Sequence, residues 1–370
     1  MMTRRSFARL AAAGAGAACR TEAALAQRAL IGQQWSANTV WLNANENPDG
    51  PCAAAIEAMN RVAPASWRYH YPEMRDFVAA VARSEGLEPD WVVVGAGSTE
   101  VLNCIVAAFT TPTRPLVYPT PTFEVPAEFA KALGHRQVAV PLAAGYKPDL
   151  KRLAEEAERA GGGLIYLCNP NNPTSLFIPK SEVAWLVSNL PKQTVLVVDE
   201  AYLHFVEGYE QHTALPWVRE GKKVIVARTF SKIYGMAGLR IGFGCAPPEL
   251  IEKLRPFRNN AVTVVGVRAV LASLGEASKL IPQRRARLIK VRGGLCEWLR
   301  ARGLRSIEPS ANFMMIDTGV DARKLGLALL AKDVAVGRPF PPLDKMLRVT
   351  IGTEQDMARF REAFAEVYRG

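Results

Sequence analysis

Val224-Ile225-Val226-Ala227-Arg228-Thr229-Phe230-Ser231-Lys232-Ile233-Tyr234-Gly235-Met236-Ala237-Gly238-Leu239-Arg240 opens as an apolar, β-branched run and closes as a turn. The run is long enough for one buried strand. Hydroxyls, a lone lysine, two glycines and an arginine follow it, and a second apolar run begins at Ile241. Lys232 is therefore expected on a connection between strands. A lysine placed there can shed enough water to present a neutral amine, which attacks a carbonyl to form a Schiff base. Taken alone, the commoner role of such a residue is a solvated loop lysine.

Further runs of the same kind lie at 92–94, 116–118, 138–140, 164–167, 195–198 and 241–244, mostly separated by segments of helical composition. This alternation is the signature of an α/β domain with a mainly parallel sheet. Ligands of such sheets sit at the carboxyl ends of the strands. A long helical stretch from 248 to 302, interrupted near Pro256 and Pro282, carries Arg284, Arg285 and Arg287, which read as a solvated face. Runs at 313–316, 334–336 and 346–351 then alternate with helical segments at 322–332 and 354–368, the pattern of a smaller α+β domain. The division expected is 1–26 as a leader, 27–64 as an N-terminal segment packing with the small domain, 65–255 as the large domain and 256–370 as the small one.

The chain has 370 residues, 49% of them apolar, and a formal net charge of +11. Its basic residues are dispersed, with no Arg/Lys block interleaved with aromatics, so nucleic acid is not an expected partner. The six cysteines show no Cys-x-x-Cys pair and the four histidines no His-Glu-x-x-His pattern. Neither a disulfide framework nor a dedicated metal site is indicated.

Thr3-Arg4-Arg5-Ser6-Phe7 precedes a weakly apolar Ala/Gly run, and Ala24-Leu25-Ala26 offers a small-residue cleavage site. The segment resembles a twin-arginine export signal, which implies the corresponding export machinery as a partner and a periplasmic or exported protein. The alternative is a basic tail on a cytoplasmic one. Cleavage after Ala26 would remove four arginines and one glutamate. The apolar run is too short to span a bilayer, and stable membrane insertion is not expected.

The ends of the strands carry the chemistry. Val94-Gly95-Ala96-Gly97-Ser98-Thr99 is a strand, a glycine turn and the first turn of a helix, which directs backbone N–H groups at an anion such as phosphate. Phe123, on a proline-stiffened loop, offers a ring to stack on a flat heterocycle. Asn172, fixed between prolines, and Tyr202 offer donors to a phenolic oxygen. Asp199 closes an almost wholly apolar run, and a buried carboxylate there demands a cationic or N–H partner, a demand that a protonated pyridine nitrogen meets.

Together these parts suit pyridoxal phosphate. The chain resembles the fold-type-I, class I/II pyridoxal-phosphate aminotransferases, and among them the histidinol-phosphate aminotransferases. The resemblance rests on Leu42-Asn43-Ala44-Asn45-Glu46-Asn47-Pro48, Tyr71-Pro72-Glu73, Asn171-Asn172-Pro173-Thr174, Asp199-Glu200-Ala201-Tyr202, Thr229-Phe230-Ser231-Lys232, Gly238-Leu239-Arg240 and Arg348-Val349-Thr350-Ile351-Gly352. It implies Lys232 as the imine-forming, proton-carrying lysine, Asp199 on the pyridine nitrogen, and Asn172 and Tyr202 on the ring oxygen. Ser98, Thr99, Thr229, Ser231 and Arg240 would hold the phosphate beside Gly97. Tyr71 would reach the phosphate of a neighbouring subunit, which implies a homodimer. Arg348 would clamp a substrate carboxylate, with Asn43, Asn312 and Arg338 as further substrate contacts. The implied reaction moves an amino group from an amino acid or a histidinol-phosphate-like amine to a 2-oxo acid. A decarboxylase resembling threonine-phosphate decarboxylase and a catalytically idle binding module are the alternatives. Thr99, Phe123 and Ser175 depart from the family, whose members often carry aspartate, tyrosine and glycine there.

Overall fold

The computed structural model describes residues 32–258 and 262–369, so the expected export signal lies outside the described residues. In chain order the strands are β1 (Val40–Leu42), β2 (Val92–Gly95), β3 (Leu116–Thr120), β4 (Gln137–Pro141), β5 (Gly163–Cys168) and β6 (Thr194–Asp199). They continue as β7 (Val224–Thr229), β8 (Gly242–Cys245), β9 (Arg305–Ser306), β10 (Phe313–Asp317), β11 (Val334–Val336) and β12 (Met346–Thr350).

Seven of them form one sheet in the order β2-β8-β7-β6-β5-β3-β4. Every position of β5, β6 and β7 is buried, which is why these segments read as continuous apolar runs. Each Val, Leu or Ile buried there contributes about 1.5–3 kcal/mol. β3 to β7 pair in parallel, whereas β8 runs antiparallel to both β7 and β2. This reversal has a consequence for the site. The carboxyl ends of β2, β6 and β7 and the amino end of β8 lie along one edge, and Gly242 of β8 is the register partner of both Gly95 and Thr229.

Helices cover the sheet by their apolar stripes. Leu150–Arg159 buries Leu150, Leu153, Ala154 and Ala157, spaced for one helical face, and starts where the Asp149 side chain accepts from Arg152 N. Downstream, β12-β10-β9 form an antiparallel sheet, and β1 pairs in parallel with β11, tying the N-terminal segment to the C-terminal part. The helix Glu354–Val367 begins with a reciprocal Thr353/Asp356 capping box.

Two expectations are corrected. The interruption expected near Pro256 is present, since the helix Pro248–Leu254 gives way to a short 3-10 turn at Arg255–Phe257. The one at Pro282 is not, and Val264–Arg300 is a single helix through it. Leu280, Ile281 and Leu288 are buried around the proline, and this packing outweighs the lost hydrogen bond and ring clash of an interior proline, together about 3 kcal/mol. Nor are its arginines a solvated face. Arg284 donates to the carbonyls of Ile233, at 2.9 Å, and Gly50, Arg285 to that of His204 at 3.0 Å, and Arg287 to Asp49. They hold the loops on either side of Lys232.

Candidate active site

One cavity of about 190 Å³ opens at the strand edge described above, lined by Ser98, Thr99, Phe123, Asp199, Tyr202, Thr229, Ser231, Lys232 and Arg240, all expected from the sequence. Ala44, Glu46, Cys168, Ala201, Ala237 and Gly238 complete the lining.

Lys232 lies in the connection between β7 and β8, as expected. It is buried, and its Nζ donates to the carbonyls of Asn45 at 2.9 Å and Ala44 at 3.2 Å. The Tyr202 ring centroid stands 5.5 Å from Nζ, and Tyr202 Oη accepts from Asn45 Nδ2 at 3.2 Å. Asn45 therefore contacts both residues, a role the sequence reading did not assign, although Asn45 lies inside one of the quoted motifs.

Asp199 closes β6 with its carboxylate wholly inside the protein. Burial pushes its pKa up to about 6, against the opposing pull of the Tyr166 hydroxyl, which donates to Oδ2 at 2.9 Å, and the Ala201 N–H, which donates to Oδ1 at 3.2 Å. Two hydrogen bonds do not replace a cation, so the carboxylate still favours a positive partner. Tyr166 is a second residue the sequence reading missed. It sits inside an apolar strand, where a tyrosine reads as core.

The polar end of the cavity is built by close approach of backbones. Gly97 has φ +77°, and a Cβ there would lie 2.2 Å from Arg240 Nη2. A Cβ on Gly242 would lie 2.1 Å from Ser98 N. Only glycine at both positions lets β8 and Arg240 meet the first turn of the helix Gly97–Phe109. Arg240 donates to Ala237 O at 2.9 Å and Ser231 Oγ at 3.3 Å, while Thr229 Oγ1 donates to Ser231 Oγ at 2.9 Å and accepts from Ser231 N at 3.1 Å. Hydroxyls, helix N–H groups and a guanidinium thus converge in a cup suited to a phosphate dianion.

Behind this edge lies a buried ion cluster. Arg228 donates to Glu200 Oε2 from Nη2 at 2.8 Å and from Nε at 3.0 Å, and from Nη1 to Glu85 Oε2 at 2.7 Å. Glu200 also accepts from Ala214 N and Thr213 Oγ1. The cluster fixes the residues next to Asp199 and Thr229.

None of the expected substrate contacts Asn43, Asn312, Arg338 and Arg348 lines this cavity, and each is held by protein partners. Arg348 is fully buried, donating from Nη1 to Asn172 Oδ1 at 2.8 Å and from Nη2 to Asn43 O at 2.6 Å. Asn43 thus engages through its carbonyl. Asn312 donates to the carbonyls of Asn45 and Glu46, each at 3.1 Å, and so holds the segment that faces Lys232. Arg338 is bound by Glu124. Tyr71 is 74% exposed and does not line this cavity. Ser175 takes a left-handed φ of +61°, and its Oγ accepts from Ala311 N at 2.9 Å and Ser310 N at 3.1 Å. Among the described residues no cluster of three metal-ligating side chains occurs, and no helix is long and apolar enough to cross a membrane.

Comparison with known proteins agrees with this geometry. The chain is 37% identical to the histidinol-phosphate aminotransferase of Symbiobacterium thermophilum over 329 residues, 88% of this chain and 89% of that protein. It is 32% identical to the aromatic amino acid aminotransferase of Cutibacterium acnes, covering 90% of this chain and 94% of that one. The structure of histidinol-phosphate aminotransferase from Sinorhizobium meliloti in complex with pyridoxal-5'-phosphate superposes with a TM-score of 0.82 at 27% identity, over 95% of each chain. Residues 37–364 match the family Aminotransferase class I and II, and the chain belongs to that family.

Proposed function

We propose that the chain is a pyridoxal-phosphate-dependent aminotransferase that moves an amino group from an amino acid or a histidinol-phosphate-like amine to a 2-oxo acid by a ping-pong reaction. The observation that carries this reading is the placement of Lys232, the buried Asp199 and the Ser98/Ser231/Arg240 cup around one cavity. The site fits the cofactor on its own terms: a buried carboxylate that two hydrogen bonds and the charge of Lys232 still leave raised to about 6, a cup from which Cβ atoms are excluded, and the Phe123 ring on the wall. When bound, pyridoxal phosphate supplies an electrophilic carbonyl carbon and a ring that accepts carbanion charge.

The chain supplies the rest. Lys232 would provide the amine that holds the cofactor, and once displaced by the donor its Nζ would take the proton from the donor α-carbon and hand it on to the former carbonyl carbon of the cofactor. The carbonyls of Ala44 and Asn45 aim Nζ. Asp199, with Tyr166 and Ala201 orienting its two oxygens, keeps the opposing nitrogen protonated. Arg348, held by Asn172 and Asn43, would be the residue to meet a substrate carboxylate, for which its planar fork is suited. The aminotransferase relatives favour transamination over decarboxylation or idle binding. Mixing the holoenzyme with a panel of amino donors tests the reading: the cofactor absorbance should shift to that of its amine form without release of carbon dioxide, and carbon dioxide release would overturn it.

We also propose a homodimer and export. The exposed Trp67, Tyr69 and Tyr71 on one short stretch support a partner surface there, and the Arg4-Arg5 leader supports the twin-arginine route. A monomer by light scattering would refute the first, and a solely cytoplasmic protein with an intact N-terminus the second.

A further inference from the structure

Arg338 follows β11 and is bound bidentately by Glu124, with Nη1 donating to Oε1 at 3.0 Å and Nη2 to Oε2. Its guanidinium lies 4.1 Å from the centroid of the Phe340 ring, and the Arg348 guanidinium lies 4.7 Å from the same centroid. Gly337, the residue before Arg338, donates its N–H to Arg348 O at 2.8 Å. Arg338 and Arg348 are therefore neighbours. Glu124 in turn follows Phe123, whose ring lines the Lys232 cavity. The pair links the aromatic wall of the cavity to the Arg348 side of the site.

The pairing decides what this corner offers a ligand. A carboxylate on both Nη atoms occupies the fork that a phosphate or second carboxylate of a substrate would need. An anionic side chain arriving here must either displace Glu124 or lie beside it as a like charge, and both work against binding. A neutral side chain meets no such penalty.

We propose that Glu124 is a specificity-determining residue that silences Arg338, so that the amino donors of this enzyme carry neutral side chains and phosphorylated or dicarboxylic donors are disfavoured. This rests on the transamination reading and narrows it. The test follows the absorbance change of the holoenzyme after mixing with phenylalanine or leucine on one side and histidinol phosphate or O-phosphoserine on the other, in the wild type, Glu124→Gln and Glu124→Gln/Arg338→Gln. The wild type should react faster with the neutral donors. Glu124→Gln, nearly isosteric, should raise the efficiency ratio of phosphorylated to neutral donors by about a hundredfold, and the double variant should lose that gain. A wild type that prefers a phosphorylated donor to every neutral one overturns the proposal, as does an unchanged ratio in a folded Glu124→Gln. The wild-type ranking needs no variant, so it decides the matter even if Glu124→Gln does not fold. No absorbance change with any donor would instead remove the transamination reading itself, and this inference with it.

Discussion

Replacing Asp199 by Asn should stabilise the cofactor-free protein while weakening its hold on the cofactor. Burial raises the Asp199 carboxyl from its ordinary 3.8 to about 6 in the folded chain. Below about pH 4 the carboxyl is protonated in both states and contributes nothing. Between about pH 4 and 6 it ionises in the unfolded chain but keeps its proton in the folded one, so the native state loses stability as pH rises. A shift of about two units corresponds to about 3 kcal/mol once the pH is well above 6. Asparagine has no such titration, and it can still accept from Ala201 N and present its amide to the Tyr166 hydroxyl. Thermal or urea unfolding of the cofactor-free wild type and Asp199→Asn from pH 4 to 8 should therefore show a stability difference that grows with pH to about 3 kcal/mol in favour of the variant. The holoenzymes should rank the other way, because a cation against Asp199 removes the penalty and the amide cannot use it. A stability difference that stays flat across that range would refute the argument.

Arg228→Met leaves Glu85 and Glu200 buried without their shared cation, and should destabilise the fold by about 3–5 kcal/mol, read from denaturant or thermal unfolding. Ser175→Gly relieves a left-handed backbone but loses the Oγ acceptor for Ser310 N and Ala311 N, whereas Ser175→Ala loses the acceptor and keeps the strain. The alanine variant should be the less stable of the two by about 1 kcal/mol in melting experiments.

Much of the fold and of the site was legible because its signals are local. The seven runs between 92 and 244 are strands, and those of β3, β5 and β6 stand out because parallel interior strands must be apolar on both faces. The cavity-lining set was legible because those residues stand directly after the strands, where the sheet delivers them to one edge. What stayed hidden depends on partners distant in sequence. Tyr166 reads as core until its hydroxyl is seen on Asp199, and Arg284 reads as solvated until it is seen on the carbonyls of Ile233 and Gly50. The direction of β8 was equally unreadable, because an apolar run carries no mark of parallel or antiparallel pairing. Pro282 misled for the converse reason: a local rule was outweighed by burial along a helix of 37 residues.

The most direct test of the account is to load wild type and Lys232→Ala with pyridoxal phosphate, reduce both with borohydride, digest them and weigh the peptides. The wild-type peptide bearing Lys232 should gain the mass of one reduced cofactor, and the variant should carry no stoichiometric label on any other lysine. Stoichiometric labelling elsewhere in the wild type, or its survival in Lys232→Ala, would contradict it.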